Sequence, residues 1–343
     1  MLAGGSGSRF WPVSTPTRPK QLLSLAGPRP LVVETIERAR AVTGDARIRI
    51  LTGAGLVAPF RSVLPDLGVD AYWVEPAARG TAPALAWAAW LALQEDEDAV
   101  LVSLHADHAI QPQDAFVQGI RAAAALAQHE RALVTIGVKP DRPETGYGYL
   151  HPGSRLQPID GVPAFRVSAF HEKPDRPTAE RYLEQGYLWN SGIFAWRADV
   201  FLDEVRRHAP SLAMALRRLE AGDVDGFFAR VEPCSVDEAI LERSDKVAAI
   251  EAPFAWDDVG SWEGLARARG TEAGENVVVG SGKVLDGSDN IVYADGGAVV
   301  LWGLSDVVAV HTAGVTLVMR RDLAPEMKRL LDRLPDHLRQ TPR

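Results

Sequence analysis

Apolar and polar residues follow two periods along the first two thirds of this chain, one helical and one typical of strands. From residue 31 to residue 42 the apolar side chains recur on one helical face, with charged residues between them. Amphipathic or alanine-rich patterns of this kind predict helices at 31–42, 81–95 and 113–128. Short apolar runs predict strands at 48–52, 69–74, 99–104 and 133–138. Strands that alternate with helices predict a doubly wound α/β sheet.

Two of these elements have more specific features. Thr81 precedes the second helix in the manner of a helix cap, with Pro83 in the first turn. The run at 99–104 is continuously apolar, which is typical of a central parallel strand covered on both faces.

The pattern changes after about residue 270, where short strand-like runs are separated by Gly, Asp, Asn and Ser. These runs lie at 277–279, 284–285, 291–293, 299–301 and 307–310. Closely spaced short strands predict a β-solenoid or a small sheet, although no regular hexapeptide register of a left-handed-helix acyltransferase persists. We therefore expect two domains, 1–268 and 269–343, the second of which ends in a helix at 322–334.

Composition narrows the class of protein. The 343 residues are 46% apolar and 24% charged, so the chain can bury a core, and its net charge of −8 argues against a nucleic-acid binder. Any anionic substrate must then meet a local basic cluster. One cysteine, Cys234, rules out an internal disulfide and makes a cysteine metal site implausible. We see no signal peptide and no membrane-spanning apolar run, so we expect a cytoplasmic protein that binds no membrane.

The glycine-rich stretch at the start of the chain has the features of a phosphate-binding loop. Its glycines permit close backbone approach, so that N–H groups can turn toward an anion, while Arg9 and Lys20 add fixed charge. Neither the Walker loop nor the dinucleotide fingerprint fits its spacing, and Gly4 to Gly7 alone are equally compatible with a simple turn. Only three apolar residues precede the loop, so we expect the natural start to lie several residues upstream.

Asp107 follows the strand at 99–104 and therefore lies at the carboxyl edge of the sheet, where ligands of open α/β sheets bind. A carboxylate at this edge can coordinate magnesium together with substrate phosphates. The flanking His105 and His108 suggest zinc as an alternative, but no third ligand at a recognisable spacing supports zinc.

Three later segments contain groups that a sugar phosphate requires. Gly146 permits close approach to a pyranose ring, Glu172 can accept hydrogen bonds from vicinal hydroxyls, Lys173 can meet a phosphate, and Asn190 can both donate and accept. Each segment taken alone is better explained by strand aromatics, a solvated ion pair or a turn. The case for a sugar site depends on their occurring together.

The order of these motifs resembles that of the sugar-1-phosphate nucleotidyltransferases. Gly-x-Gly-x-Arg is followed eleven residues later by the lysine of Pro19-Lys20-Gln21. Within that group, Trp11-Pro12 and Gln21 point to the mannose-1-phosphate guanylyltransferases. The resemblance covers nearly the whole chain, and the absence of an isomerase domain predicts the monofunctional type.

The resemblance implies a Rossmann-like, glycosyltransferase-A-like doubly wound mixed sheet with a small C-terminal β-helix-like domain. It implies that GTP and mannose 1-phosphate react to GDP-mannose and pyrophosphate with Mg²⁺, in a cytoplasmic enzyme that we expect to be a homodimer. The residues before about 270 would carry the chemistry.

The resemblance also assigns residues to roles. Arg9, Lys20 and Asp107 would be catalytic, and Asp107 and Asp258 would hold the metal, with Asp257 as the obvious competitor of Asp258. The sugar phosphate would be bound by Gly146, Glu172, Lys173 and Asn190. The nucleotide would be bound by Leu2, Ala3, Gly4, Gly5, Gly7, Ser8, Arg9, Lys20, Gly80 and Thr81. The backbone of Leu2, Ala3 and Gly4 would read the base.

Two departures from the family pattern and two rival functions stay open. Gly80 stands where the family usually has asparagine, and His105 where it has proline. One rival is a UTP- or dTTP-dependent glucose-1-phosphate enzyme, which the order of motifs does not exclude. The other is a catalytically silent subunit that binds a nucleotide sugar and regulates a partner, although the retention of Arg9, Lys20 and Asp107 argues against it.

Overall fold

A six-stranded mixed sheet forms the centre of the computed structural model, which describes residues 1–5 and 7–339. Its strand order is β3-β8-β5-β9-β7-β6, and β5 runs parallel to β9 but antiparallel to β8. The strands of the chain are β1 (Ile50–Gly53), β2 (Tyr72–Glu75), β3 (Val100–Ser103), β4 (Ala109–Gln111), β5 (Leu133–Val138), β6 (Gly148–Ile159), β7 (Val162–Glu172), β8 (Leu188–Arg197), β9 (Val247–Glu251), β10 (Ala255–Asp257), β11 (Val277–Leu285), β12 (Ile291–Trp302), β13 (Val307–His311) and β14 (Thr316–Arg320).

Residues 1–3 connect this sheet to the parallel pair β1–β2. The Leu2 N–H donates to Leu104 O (2.7 Å), and the Ala3 N–H donates to Leu51 O (3.0 Å). Leu2 thus forms parallel bridges to Leu51 within β1 and to His105 just after β3. The glycine loop therefore leaves the sheet at the carboxyl edge of β1 and β3, where the predicted ligand site lies.

Helices cover both faces of the sheet. One apolar core packs α3, α6 and α7 against one face, and a second packs α1, α2 and α4 against the other. The helices are α1 (Leu31–Thr43), α2 (Ala54–Val63), α3 (Thr81–Glu95), α4 (Gln113–Glu130), α5 (Arg176–Glu184), α6 (Ala198–His208), α7 (Pro210–Glu220), α8 (Val224–Arg230), α9 (Trp262–Ala268), α10 (Met327–Arg333) and α11 (Asp336–Arg339). No helix within 1–5 and 7–339 is both long and apolar enough to cross a membrane.

The late β-rich segment forms a separate sheet in the order β11-β12-β13-β14. The first three strands are parallel, as in a β-helix, and β14 closes the sheet in the antiparallel direction. Its inner face continues into a core that contains Phe10 and Trp262, whose rings meet edge to face at 5.0 Å. The predicted fold class is confirmed, whereas the boundary at 268 stays a prediction.

Several local predictions were wrong. A 3₁₀ turn occupies 69–71, so β2 begins only at Tyr72. β3 pairs antiparallel with β8 and is only half-buried, so it is not a central strand between parallel neighbours. Thr81 is the first helical residue of α3 and Gly80 the cap, because the Thr81 hydroxyl accepts from Val236 N (2.9 Å) instead. At the C-terminal end, a 3₁₀ turn at Arg321–Glu326 precedes α10.

Candidate active site

The glycine loop lies directly on Lys20. Gly7 has a φ of +63°, and a Cβ at this position would lie 2.4 Å from the Lys20 Cβ. Only glycine relieves both the steric conflict and the backbone strain here. The Ser14 hydroxyl donates to Gly7 O (2.6 Å), and the Gln21 amide donates to Gly5 O (3.1 Å), so side chains that follow the loop hold its backbone in place.

Lys20 is buried, with only 6% of its surface exposed, and it contacts both predicted metal ligands. Its ammonium group donates to Asp107 Oδ2 (2.8 Å) and to the Asp258 carbonyl. The Arg9 guanidinium donates to Gly260 O (3.0 Å) beside them. These groups line a cavity of about 270 Å³ together with Gly7, Ser8, Phe10, His105 and His108.

The short antiparallel pair β4–β10 explains how distant segments meet at this cavity. Ala109 lies opposite Asp257 in the register of the pair. The loop that contains Asp107 enters β4, and the turn that contains Asp258 leaves β10, so both carboxylates lie at one end of the pair. Burial alone would raise the pKa of Asp107. The Lys20 charge, the neighbouring histidines and the hydrogen bond from Lys20 together outweigh this effect and hold the pKa at about 2. Asp107 is therefore ionised near neutral pH.

The turn after β10 gives the two adjacent aspartates different partners. Asp257 Oδ2 accepts from Arg267 Nε (2.7 Å), and Asp257 Oδ1 accepts from Val259 N (2.7 Å). Asp258 Oδ1 accepts from Gly260 N (2.9 Å) and from the Tyr147 hydroxyl (2.6 Å), while its Oδ2 accepts no hydrogen bond from residues 1–5 or 7–339. Val259 has a φ of +47°, an unfavourable conformation for a β-branched residue. Such strain is typical of functional turns.

The histidines beside Asp107 do not complete a zinc site. Ligand atoms of His105, Asp107 and His108 lie within 4.8 Å of one another. However, the Trp256 indole N–H donates to His108 Nδ1 (3.0 Å), so the neutral ring carries its proton on Nε2. Neither nitrogen of this tautomer then offers a lone pair to a metal, and two ligands are too few for zinc. The carboxylates of Asp107 and Asp258 are the oxygen ligands that Mg²⁺ prefers.

The predicted sugar-phosphate residues form a second cluster. The Lys173 ammonium pairs with the Glu172 carboxylate, and the Lys173 N–H donates to Tyr147 O (3.1 Å) at a φ of +48°. A Cβ on Gly148 would lie 2.6 Å from Glu172 Oε2 and 3.3 Å from the Asn190 Cβ. Gly148 is thus the glycine over which these side chains converge, whereas the Gly146 N–H donates to Glu144 Oε1 (3.2 Å).

Tyr147 joins the two clusters, a role that its motif alone did not reveal. Its hydroxyl donates to Asp258 in the first cluster, and its backbone carbonyl accepts from Lys173 in the second. Burial raises the pKa of Tyr147, as do the charges of Asp258 and Asp257, so the hydroxyl keeps its proton. The available signal in the sequence was an aromatic residue between Gly146 and Gly148, at the start of β6. An aromatic residue at such a position is equally typical of the core.

Comparisons with known proteins agree with this geometry. The nucleotidyl transferase family matches residues 1–273, and the mannose-phosphate isomerase/GMP-like β-helix domain matches residues 280–334. The xanthan biosynthesis protein XanB of Xanthomonas campestris is 36% identical over 97% of this chain and 72% of its own length. The mannose-1-phosphate guanylyltransferase of Escherichia coli K12 is 35% identical over the same shares of the two chains. The chain belongs to the mannose-1-phosphate guanylyltransferase family.

A solved structure extends this likeness to three dimensions. A Thermus thermophilus protein described as a mannose-1-phosphate geranyltransferase is 33% identical, with a TM-score of 0.89 over 97% of both chains. The family expected from the motifs of the sequence is thereby confirmed.

The departure from the family pattern at Gly80 has a steric reason. Gly80 has a φ of +81°, and a Cβ there would lie 2.4 Å from Cys234 O. The backbone of this loop is bound to the 234–236 segment, because Cys234 N donates to Arg79 O (3.1 Å) and Ala82 N to Cys234 O (3.2 Å). A side chain at position 80 would require this segment to move.

The sheet uses part of the backbone that we expected to read the base. The N–H groups of Leu2 and Ala3 donate to Leu104 and Leu51, and the Thr52 hydroxyl donates to Ala3 O (3.2 Å). These two N–H groups are therefore not available to a nucleotide, and the expectation that this backbone reads the base stays a prediction. The space around Gly4 is open, with no atom within 4 Å of the Cβ that a larger residue would place there.

Proposed function

We propose that this chain transfers GMP from GTP to mannose 1-phosphate, with release of pyrophosphate. The observation that carries the proposal is the placement of Arg9, Lys20 and two carboxylates around one cavity, with Lys173 linked to it through Tyr147. Family membership supports the same reaction.

The chemistry requires alignment and charge neutralisation rather than a general base. A phosphate monoester is ionised near neutral pH, so an oxygen of mannose 1-phosphate can attack the α-phosphorus directly. A new P–O bond forms at that phosphorus, the bond to the bridging oxygen of the β-phosphate breaks, and pyrophosphate leaves. The groups that stabilise the added charge must already be in place when the two anions meet.

The residues of the first cluster suit the nucleotide. Arg9 can bind two phosphate oxygens at once, and Lys20 can stabilise the α-phosphate and the departing pyrophosphate. The loop of Gly4, Gly5, Gly7 and Ser8 would approach the phosphates, and Gly80 and Thr81 would border the nucleotide at the start of α3. Leu2 and Ala3 would contribute through groups other than their N–H.

The residues of the second cluster suit the sugar phosphate. Lys173 is 64% exposed, so its ammonium group can exchange Glu172 for the 1-phosphate. Glu172 would then accept from hexose hydroxyls, with Asn190 beside it and Gly146 at the entrance of the site.

Magnesium is the metal that we propose for Asp107 and Asp258. Both residues offer carboxylate oxygens at the cavity, and the tautomer of His108 argues against a nitrogen-rich site. When bound, Mg²⁺ would neutralise charge on the phosphates and reduce their mutual repulsion.

We also propose a cytoplasmic homodimer. Trp302 and Val300 are 76% and 64% exposed on the C-terminal sheet, and an apolar surface there is suited to pairing with a second copy. Light scattering of the purified protein tests this assembly, and a monomer at micromolar concentration would contradict it.

A pyrophosphate-release assay over a matrix of GTP, UTP and dTTP with mannose 1-phosphate and glucose 1-phosphate tests the proposed reaction. We expect the highest kcat/KM for GTP with mannose 1-phosphate. A higher value for UTP or dTTP with glucose 1-phosphate would support the other enzyme class. No turnover in any cell of the matrix would support the regulatory subunit.

A further inference from the structure

Asp237 is a partly buried carboxyl group that none of the steps above uses. It begins a five-residue π-helix, Asp237–Leu241, that follows the 234–236 segment. The Ser235 hydroxyl accepts from Glu238 N (3.2 Å) at the start of this element, as a helix-capping residue does. A capping role accounts for Ser235 and Glu238 but leaves Asp237 unexplained.

The side chain of Asp237 lies among the predicted sugar-site residues. Its Oδ1 accepts from the Asn190 amide nitrogen (2.9 Å). Burial raises its pKa to about 7, the neighbouring charge of Glu172 adds to this rise, and Lys173 opposes it. Because Asn190 and Glu172 converge over Gly148, the hydrogen bond to Asn190 places Asp237 at the second cluster.

The structure permits only one orientation of the Asn190 amide. Asn190 Oδ1 accepts from the buried Thr135 hydroxyl (2.8 Å) and from Gly192 N (3.2 Å), while its nitrogen donates to Asp237. If the amide were flipped, its oxygen would face a carboxylate and its nitrogen would face an N–H donor. The first contact is repulsive when Asp237 is ionised and the second is repulsive at any pH, so Thr135, Gly192 and Asp237 together fix the orientation.

This arrangement restricts what the site can offer a ligand. Both acceptor positions of Asn190 Oδ1 are used, so the amide retains one N–H for a substrate. Asp237 Oδ2 makes no hydrogen bond to another residue in 1–5 or 7–339, and in the ionised form it is an acceptor on the carboxylate that binds this amide. A donor beside an acceptor matches a sugar hydroxyl, which both accepts and donates.

We propose that Asp237 is a sugar-binding residue that also positions Asn190, so that the pair binds one hydroxyl of the hexose in the sugar-phosphate site. The inference rests on the proposed function, since it takes the second cluster as the site of the hexose.

The test combines Asp237→Asn with mannose 1-phosphates that lack a single hydroxyl. The variant keeps an acceptor for the Asn190 amide but replaces the free carboxylate oxygen by an N–H donor. We expect the KM for mannose 1-phosphate to rise about 10- to 100-fold, the range for one hydrogen bond to a charged group, with the KM for GTP unchanged. With the wild-type enzyme, removal of the bound hydroxyl from mannose 1-phosphate should raise KM. With Asp237→Asn, removal of the same hydroxyl should raise KM no further, because the protein group that binds it is already absent.

Glu238→Gln is the matched control, since it alters the exposed neighbouring carboxylate and should leave both KM values unchanged. Thr135→Val removes the opposite anchor of Asn190 and should raise the same KM, which keeps the proposal testable if Asp237→Asn folds poorly. Full, undiminished penalties for every deoxy analogue in Asp237→Asn would overturn the direct contact. A wild-type enzyme inactive on mannose 1-phosphate would instead overturn the proposed function.

Discussion

The neighbouring aspartates Asp257 and Asp258 provide the sharpest test of the site, because the structure gives them different partners. In Asp258→Asn, the amide oxygen can still accept from Gly260 N and the Tyr147 hydroxyl, so the turn should persist. The substitution removes only the negative charge that Asp258 places at the cavity. We expect the free energy of unfolding to change by less than about 0.5 kcal/mol. We expect turnover to fall about 100-fold or more, the scale on which one electrostatic stabiliser is felt.

Asp257→Asn should show the opposite pattern. The variant keeps the bond to Val259 N but places an amide N–H against the Arg267 guanidinium, which donated to Asp257 Oδ2 at 2.7 Å. A hydrogen bond between charged groups contributes about 1.5–3 kcal/mol. Because the Arg267 side chain is 32% exposed, solvent screening reduces the expected loss to about 1–2 kcal/mol. Turnover of the folded enzyme should stay within a few-fold of wild type.

Urea unfolding and a pyrophosphate-release assay at saturating Mg²⁺ measure the two quantities on the same preparations. Mn²⁺ binding followed by electron paramagnetic resonance adds a readout that does not depend on turnover, and Asp258→Asn alone should weaken it. If Asp257→Asn lost turnover as severely as Asp258→Asn while it stayed stable, the assignment of Asp258 to the metal would be wrong.

Three further predictions concern the sugar side of the site and its link to Asp258. Tyr147→Phe should lower turnover and weaken Mn²⁺ binding, because it removes the hydroxyl that donates to Asp258. In the wild-type protein the Tyr149 hydroxyl donates to Glu144 O (2.8 Å), so Tyr149→Phe should change neither quantity. Equal effects of the two substitutions would refute the linking role of Tyr147. Lys173→Met should raise the KM for mannose 1-phosphate about tenfold or more through loss of one charged contact, and an unchanged KM would contradict its placement. Folding favours protonated Asp237, whose pKa rises from 3.8 to about 7, so its contribution to stability is present at low pH and lost as pH rises through 7. In urea unfolding, the free energy of unfolding of the wild type should therefore fall relative to that of Asp237→Asn between about pH 4 and pH 8. If the difference between the two free energies stayed constant over this range, the pKa of Asp237 would not be raised.

The local pattern of the chain was sufficient for many elements. The periodicity at 31–42 and 113–128 predicted α1 and α4 to within two residues, and the apolar run at 133–138 coincides with β5. Short segments of sequence are enough to predict these elements, because the residues of each element supply the apolar face that it buries. The hypotheses of a phosphate-binding loop near Arg9 and of a metal ligand at Asp107 also came from local signals, namely glycine spacing and a strand end, and they stay predictions.

Tertiary packing decided which chemically similar residue takes each role. Asp258 rather than Asp257 lines the cavity, because the turn at the strained Val259 places the Asp257 carboxylate against Arg267, which donates to it. Gly148 rather than Gly146 lies beneath Glu172 because the strand pair β6–β7 places it opposite that residue. No periodicity within the chain distinguishes these neighbours.

The remaining site residues depend on contacts between segments that are distant in sequence. Lys20 reaches the Asp258 carbonyl across 238 residues, Tyr147 reaches the Asp258 carboxylate across 111, and Asn190 reaches Asp237 across 47. Each contact exists because sheet pairing and two-sided helix packing bring loop ends to one edge. The sequence alone thus determined which kinds of chemistry are available in this protein, and the folded sheet decided which side chains share a hydrogen bond, because partners this far apart meet only after the strands have paired.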